Sequence, residues 1–199
     1  IWFLYGLLAI KWHVLDDFYV YFTKKINGHE IERPKGWDAV IFFGGKLFFF
    51  TMAFVVPSFY YPVLNVIGFY VLVTLLQGLI MSVVFQLAHC NEDAGFPERP
   101  EGSEQMETSW MVHQLSTTTD FDRNNTLLTW YLGGLNFQVE HHLFPRICHV
   151  NYPALSRIVE DTCREYGVTY NSYGSFFSGL KSHYNWLRTL GRADADGMA

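Results

Sequence analysis

Charge is what this sequence is short of. Asp, Glu, Lys and Arg make up 17% of its 199 residues, and none of them occurs from Leu47 to Asn91. An uncharged stretch of that length does not suit an ordinary soluble domain, but it is long enough for two membrane crossings at about 20 residues each. Basic clusters are missing too. The net charge is −5 and the acidic residues are scattered, which leaves no basic stripe for a nucleic-acid partner. The cysteines, Cys90, Cys148 and Cys163, are odd in number and lack CxxC spacing. A disulfide scaffold is therefore excluded, and reduced thiols facing a cytoplasm are expected. The chain opens without an initiator Met, inside the apolar run IWFLYGLLAIKW, and shows no charged segment followed by a small-residue cleavage site. It does not read as a signal peptide, and the expectation is a piece of a longer polypeptide. Internal repeats and low-complexity tracts are also absent.

What is present is apolar and aromatic: 50% of residues are hydrophobic and 18% are Phe, Trp or Tyr. Residues 1–12 are apolar but too short to span a bilayer, and are expected to be an interfacial or truncated helix. Residues 13–38 are polar, carry Lys24, Lys25, Arg33 and Lys35, and read as a loop on the cytoplasmic side. Asn27-Gly28 and Pro34-Lys35-Gly36 mark turns within it. Residues 39–88 are expected to form two transmembrane helices, over 39–56 and 63–88, separated by Pro57 and Pro62. Lys46 is expected to snorkel from the first. Residues 89–192 are expected to form a cytoplasmic helical cap, with a polar loop at 91–109, an amphipathic helix at 153–166 and a further helix within 172–190. Residues 193–199 read as a frayed tail.

The chemistry concentrates in one segment. On a helix, Gln138, His141 and His142 stand at i, i+3 and i+4 and face one spot. Two neutral imidazoles suit iron, and an amide oxygen can serve as a weaker ligand. Pro145 ends the helix. A bare pair of histidines is weak support for a site, because short motifs recur by chance.

The whole segment QVEHHLFP (138–145) is far more specific. It resembles the third histidine box of membrane fatty acid desaturases, in the variant with Gln in place of the first His. That variant is associated with front-end desaturases and their bacterial acyl-lipid or acyl-CoA relatives. The Gly133-Gly134-Leu135-Asn136 lead-in and the pattern from Pro145 to Pro153 are similar to the family as well. Asn151 departs from it, standing where relatives often carry His. Phe85-Gln86-Leu87-Ala88-His89 is the second resemblance. Alone, His89 reads as an interfacial histidine; the resemblance implies a metal ligand at the cytoplasmic end of the last membrane helix. Gln86, one turn back, either supports the site or packs helices. Trp110-Met111-Val112-His113-Gln114, followed by Thr117-Thr118-Thr119-Asp120-Phe121, is the third resemblance. It leaves His113 open between supporting the metal, lining the acyl tunnel and being a satisfied core residue. His149, past the proline, can at most support the site, while His13, His29 and His183 are expected on solvated surfaces.

The resemblance implies a mainly α fold: an integral-membrane, multi-pass helical hairpin with a cytoplasmic helical cap that carries part of a non-haem di-iron site. The metal ligands it implies here are His89, Gln138, His141 and His142. It implies oxygen-dependent introduction of a cis double bond into an acyl lipid or acyl-CoA, with electrons from a ferredoxin or cytochrome b5 type donor. Neither HxxxH nor HxxHH, the other boxes of the family pattern, occurs in residues 1–132. Two irons need more ligands than these four residues offer, so the expectation is that these residues alone are inactive. The alternatives are a related membrane hydroxylase or ketolase, and a non-catalytic membrane protein. Transport is poorly supported, because Thr74, Gln77 and Ser82 are the mid-helix polar groups of the second span and none is charged.

Overall fold

The computed structural model describes residues 1–26, 28–97, 106 and 108–197, with side chains as far as residue 192. The described chain is mainly helical and divides into two compact units, residues 1–82 and 83–199.

In the first unit, α1 (Trp2–Lys11), a π-helical turn (Trp12–Asp16) and α2 (Asp17–Thr23) follow one another without a break. The polar stretch expected to be loop from residue 13 is therefore helix as far as Thr23. Val14, Leu15, Phe18 and Phe22 supply apolar residues at helical spacing, and the nearby charges are paired along the helix. Lys11 Nζ lies 3.0 Å from Asp16 Oδ2, and Lys46 Nζ lies 2.5 Å from Asp17 Oδ2. Lys46 also donates to the His13 carbonyl at 3.0 Å, so it is held by partners instead of snorkelling. His13, expected on a solvated surface, is half-buried, with its ring 5.0 Å from that of Phe49 and its Nδ1 3.2 Å from the Tyr70 hydroxyl. His29 is exposed as expected.

α2 ends because Lys24 turns left-handed (φ 57°). Arg33 then donates to the Tyr21 and Phe22 carbonyls, each at 3.2 Å, with its guanidinium 5.3 Å from the Tyr21 ring centre. A cation thus meets carbonyls left without intrahelical partners. β1 (Lys25–Ile26) and β2 (His29–Glu30) form a short antiparallel hairpin, turned through Gly28 at φ 85°; Asn27 lies outside the described residues.

Two helices are long and apolar enough to cross a membrane: 37–58 and 63–89. The first comprises α3 (Trp37–Phe50), a π turn (Thr51–Val55) and α4 (Val56–Ser58). Pro57 lacks the N–H that an α-helix needs there, and a wider turn before it absorbs the mismatch. The second is α5 (Val63–His89). Thr74, Gly78 and Ser82 recur on it every four residues, and Thr74 and Ser82 are buried. Ser82 donates to the Tyr5 carbonyl at 3.2 Å, and a Cβ added at Gly78 would lie 2.3 Å from the Gly6 carbonyl oxygen. Small side chains are what let the α1 and α5 backbones meet.

The second unit begins in the last turns of α5. Asn91 closes the bend that follows: its Oδ1 accepts the Asp93 and Ala94 N–H groups at 3.0 and 2.9 Å, and its Nδ2 donates to the Leu87 carbonyl at 2.8 Å. The described part of the expected 91–109 loop contains no helix or strand; residues 98–105 and 107 lie outside the described set. After it come α6 (Trp110–Thr117), β3 (Asp120–Phe121), α7 (Thr126–Tyr131), α8 (Gln138–Leu143), a 3-10 turn (His149–Asn151), α9 (Tyr152–Tyr166), β4 (Ser172–Tyr173) and α10 (Phe176–Gly197). Ser109 and Asn125 cap α6 and α7 through their side chains. Gly167, at φ 66°, ends α9 while Val168 N–H returns to the Cys163 carbonyl at 2.8 Å. β3 and β4 pair in parallel over two residues. One apolar cluster joins Leu115, Val139, Val159 and Cys163, and another joins Val84, Leu87 and Phe121.

α10 runs on to Gly197, so the expected tail is helix over 193–197. His183 is not a surface residue. It is fully buried, with its Nδ1 2.6 Å from the Cys90 carbonyl oxygen. Its neighbours on α10 look polar in sequence, but the residue faces inward to satisfy a carbonyl left open at the end of α5.

Candidate metal centre

The approach to α8 depends on two glycines. Gly133 and Gly134 are left-handed, at φ 59° and 80°, a conformation that side chains with a Cβ rarely adopt. At Gly134 a Cβ would also stand 2.8 Å from the Cβ of His149. The chain then enters α8, where Gln138 precedes His141 and His142 by one turn, as the spacing predicts.

Three imidazoles gather in the second unit. The His142 ring centre lies 5.0 Å from that of His89, at the end of α5, and 5.7 Å from that of His141. The approach of His89 to the box across about 50 residues is therefore present. α6 orients two of the rings. His89 Nδ1 is 3.2 Å from the Thr117 carbonyl oxygen, and His142 Nδ1 is 2.9 Å from Gln114 Oε1. Both oxygens are acceptors, so each Nδ1 carries the proton and each Nε2 keeps its lone pair. That arrangement is the one metal-ligating histidines use. Burial, followed by the charges that His89 and His141 would carry, pushes His142 down to about 4. At neutral pH its ring is uncharged. His141 is exposed, and its Nδ1 lies 3.5 Å from the Tyr152 hydroxyl.

Behind α8 is a buried acidic network. Asp120 and Glu140 are both fully buried. Tyr170 places its hydroxyl 2.6 Å from Asp120 Oδ2 and 3.0 Å from Glu140 Oε1. Arg123 sits 5.0 Å from the centre of the Tyr170 ring and pairs with Glu160 at 2.9 Å. Burial raises the Glu140 carboxyl, and the negative charge of Asp120 raises it further. Two ionised carboxylates cannot share the single proton of Tyr170, so Glu140 is the member of the pair that holds a proton. Burial pushes the Tyr170 hydroxyl up as well.

The other candidates make no hydrogen bond with these imidazoles among the described residues. Gln138 is buried, with no hydrogen bond to its amide among the described residues. His113 is half-buried and its Nδ1 is buried without a partner; its neighbour Gln114 is the residue that reaches the box. His149 is exposed and serves packing against Gly134, and Gln86 is half-buried. No contact ties either to the imidazoles among the described residues. Nor do any three His, Cys, Asp or Glu side chains among them converge closely enough to hold a metal unaided. The donors nevertheless fit iron: imidazoles suit that metal, and those of His89 and His142 have Nδ1 anchored and Nε2 uncommitted. Sequence reasoning missed Gln114, Tyr152, Asp120 and Tyr170. The signal for the first two lay inside motifs already singled out, beside His113 and in the pattern that ends at Pro153. Asp120 likewise lay inside a quoted motif, Thr117 to Phe121, without a role assigned to it, and nothing local marks Tyr170, whose partners lie 30 and 50 residues away.

Residues 1–174 match the family model described as fatty acid desaturase. The chain belongs to the fatty acid desaturase family. It is 40% identical over 190 residues to an acyl-lipid (8-3)-desaturase of Physcomitrium patens, covering 94% of this chain and 39% of that protein. It is 36% identical over 192 residues to an sn-1 linoleoyl-lipid 6-desaturase of Arthrospira platensis, covering 96% of this chain and 51% of that protein. A linoleoyl-lipid 6-desaturase of Synechocystis is 33% identical over 194 residues, covering 97% and 54%. The chain thus spans about half the length, or less, of these relatives. No solved structure matches it significantly. The match to the desaturase family covers both units, including the two long apolar helices and the gathered histidines.

Proposed function

We propose that this chain supplies the last two membrane helices and part of the iron site of an acyl-lipid desaturase. His89, His141 and His142, with Gln138 beside them, would hold iron, and further ligands of a di-iron centre would come from outside residues 1–199. The observation that carries this reading is the shared orientation of His89 and His142. Each commits Nδ1 to an oxygen of α6 and leaves Nε2 for a metal.

Iron, when bound, supplies the oxygen activation needed to take hydrogen from an unactivated acyl chain, which no side chain can do alone. The chain's own residues prepare the site. Burial keeps His142 unprotonated, α6 fixes both rings, and Tyr152 meets His141. The long apolar helices would hold the lipid, and the histidines would face the cytoplasm, where a ferredoxin or cytochrome b5 type donor delivers electrons. An acyl lipid is the proposed substrate, because the relatives carry that word in their names.

The test is double-bond formation by the intact protein in membranes, read by chromatography of its fatty acids. The parent is expected to form one cis double bond per turnover. His141→Ala and His142→Ala are expected to abolish it while the protein remains inserted. A hydroxylated or oxo product from the parent, or full activity in both variants, would refute the reading.

A further inference from the structure

α8 carries the histidines, yet the side chain of its own cap residue, Phe137, makes no capping bond. Its ring offers no acceptor for the free N–H groups of the first turn. The acceptor comes from β3 instead. Asp120 Oδ1 accepts the Val139 N–H at 2.9 Å. Its other oxygen, Oδ2, accepts the Tyr170 hydroxyl at 2.6 Å, from the segment just before β4. All of Asp120 is buried. A buried carboxylate is costly unless its oxygens are satisfied, and here both are, with Arg123 over the Tyr170 ring as the nearby cation. Val139 is itself fixed, fully buried among Leu115, Val159 and Cys163. Its backbone is two residues from His141 and three from His142. Any slip of the α8 start therefore moves both rings.

We propose that Asp120, held in place by Tyr170, is a positioning residue: it caps α8 from β3 and so sets where His141 and His142 present their nitrogens to the metal. The inference rests on the reading of these histidines as iron ligands, and it assigns Asp120 and Tyr170 a part in metal retention that the ligand motif does not contain. A general stabilising role for the buried network is the competing explanation. The two differ in what the outer member of the network should do. Glu160 pairs with Arg123 and Arg164, and among the described residues no hydrogen bond joins it to Asp120 or α8.

The experiment follows iron release to a chelator from the intact, iron-loaded, monodisperse protein, with thermal unfolding measured in parallel. Asp120→Ala is expected to release iron about tenfold faster, the low end of what losing a group that orients ligands costs. Asp120→Asn keeps an oxygen for the Val139 N–H and is expected to restore nearly parental release. Glu160→Gln is expected to release iron as the parent does, even where its melting temperature falls. Parental release from folded Asp120→Ala, or release from Asp120→Asn as fast as from the Ala variant, overturns the proposal. Should Asp120→Ala fail to fold, Tyr170→Phe decides. It removes one hydroxyl, and faster release supports the proposal while parental release refutes it. His142→Ala is measured alongside. If it too retains iron, the metal reading has failed, and this inference with it. If it loses iron while Asp120→Ala and Tyr170→Phe keep theirs, only the positioning role is wrong.

Discussion

At the scale of single residues, the proposed site depends on keeping the half-buried His142 ring neutral. His142 has an ordinary value of 6.5 and is pushed down to about 4, first by burial and then by His89 and His141. The sign of the consequence is fixed by linkage. Between those two values the unfolded chain takes up a proton that the folded one refuses, so stability falls as pH drops from about 6.5 towards 4. Metal-free protein is expected to show that decline in its melting temperature, and His142→Ala to show a shallower one. An unchanged slope in the variant would mean that other groups govern acid sensitivity. The residue scale is also where the sequence was read best. The gathering of His89, His141 and His142 was legible because a short motif and a helix end carry them. Gln114 and Asp120 stood in quoted motifs, but their partners did not, since these are set by tertiary packing across 28 and 19 residues.

At the scale of elements, the helices were legible because their signals are local. Long apolar runs bounded by Gly36, Pro57 and Pro62 marked the two spans to within about two residues, the usual uncertainty of helix ends. The amphipathic pattern of residues 153–166 likewise marked α9. Residues 13–23 misled because they open a polar stretch, whereas ion pairs of Asp16 and Asp17 let these charges sit on helix. Packing between α1 and α5 was invisible for a related reason: glycines and serines in an apolar run do not announce a partner. The structure makes that packing testable. A Cβ at Gly78 meets backbone atoms at 2.3 and 2.9 Å, with no flexible side chain to give way. Gly78→Ala is expected to destabilise the protein by about 1–3 kcal/mol, the usual cost of overpacking. Gly68→Ala, with nothing within 4 Å, is expected to be tolerated. Equal melting temperatures for the two variants in detergent would argue against the α1–α5 contact.

At the scale of the whole molecule, the account requires a membrane and a side. Nothing in the most apolar 18-residue window of the helix over 37–58 is buried, and residues such as Phe48, Leu64 and Phe69 are 65%, 79% and 69% exposed. Apolar surface on that scale needs lipid or partner helices to cover it. The cysteines offer a probe of the side. Cys148, just beyond the histidine box, is exposed, whereas Cys90 is half-buried and Cys163 buried. A membrane-impermeant maleimide is expected to label Cys148 in inside-out vesicles and to spare it in intact cells. Labelling from outside intact cells would place the histidines on the wrong face for a cytoplasmic electron donor. The central claim, however, is that His89, His141 and His142 hold iron. Elemental analysis of iron per polypeptide in the purified intact protein, beside His89→Ala and His142→Ala, tests it most directly. The account expects iron in the parent and its loss from both folded variants; iron absent from the parent, or retained undiminished in both variants, would contradict it.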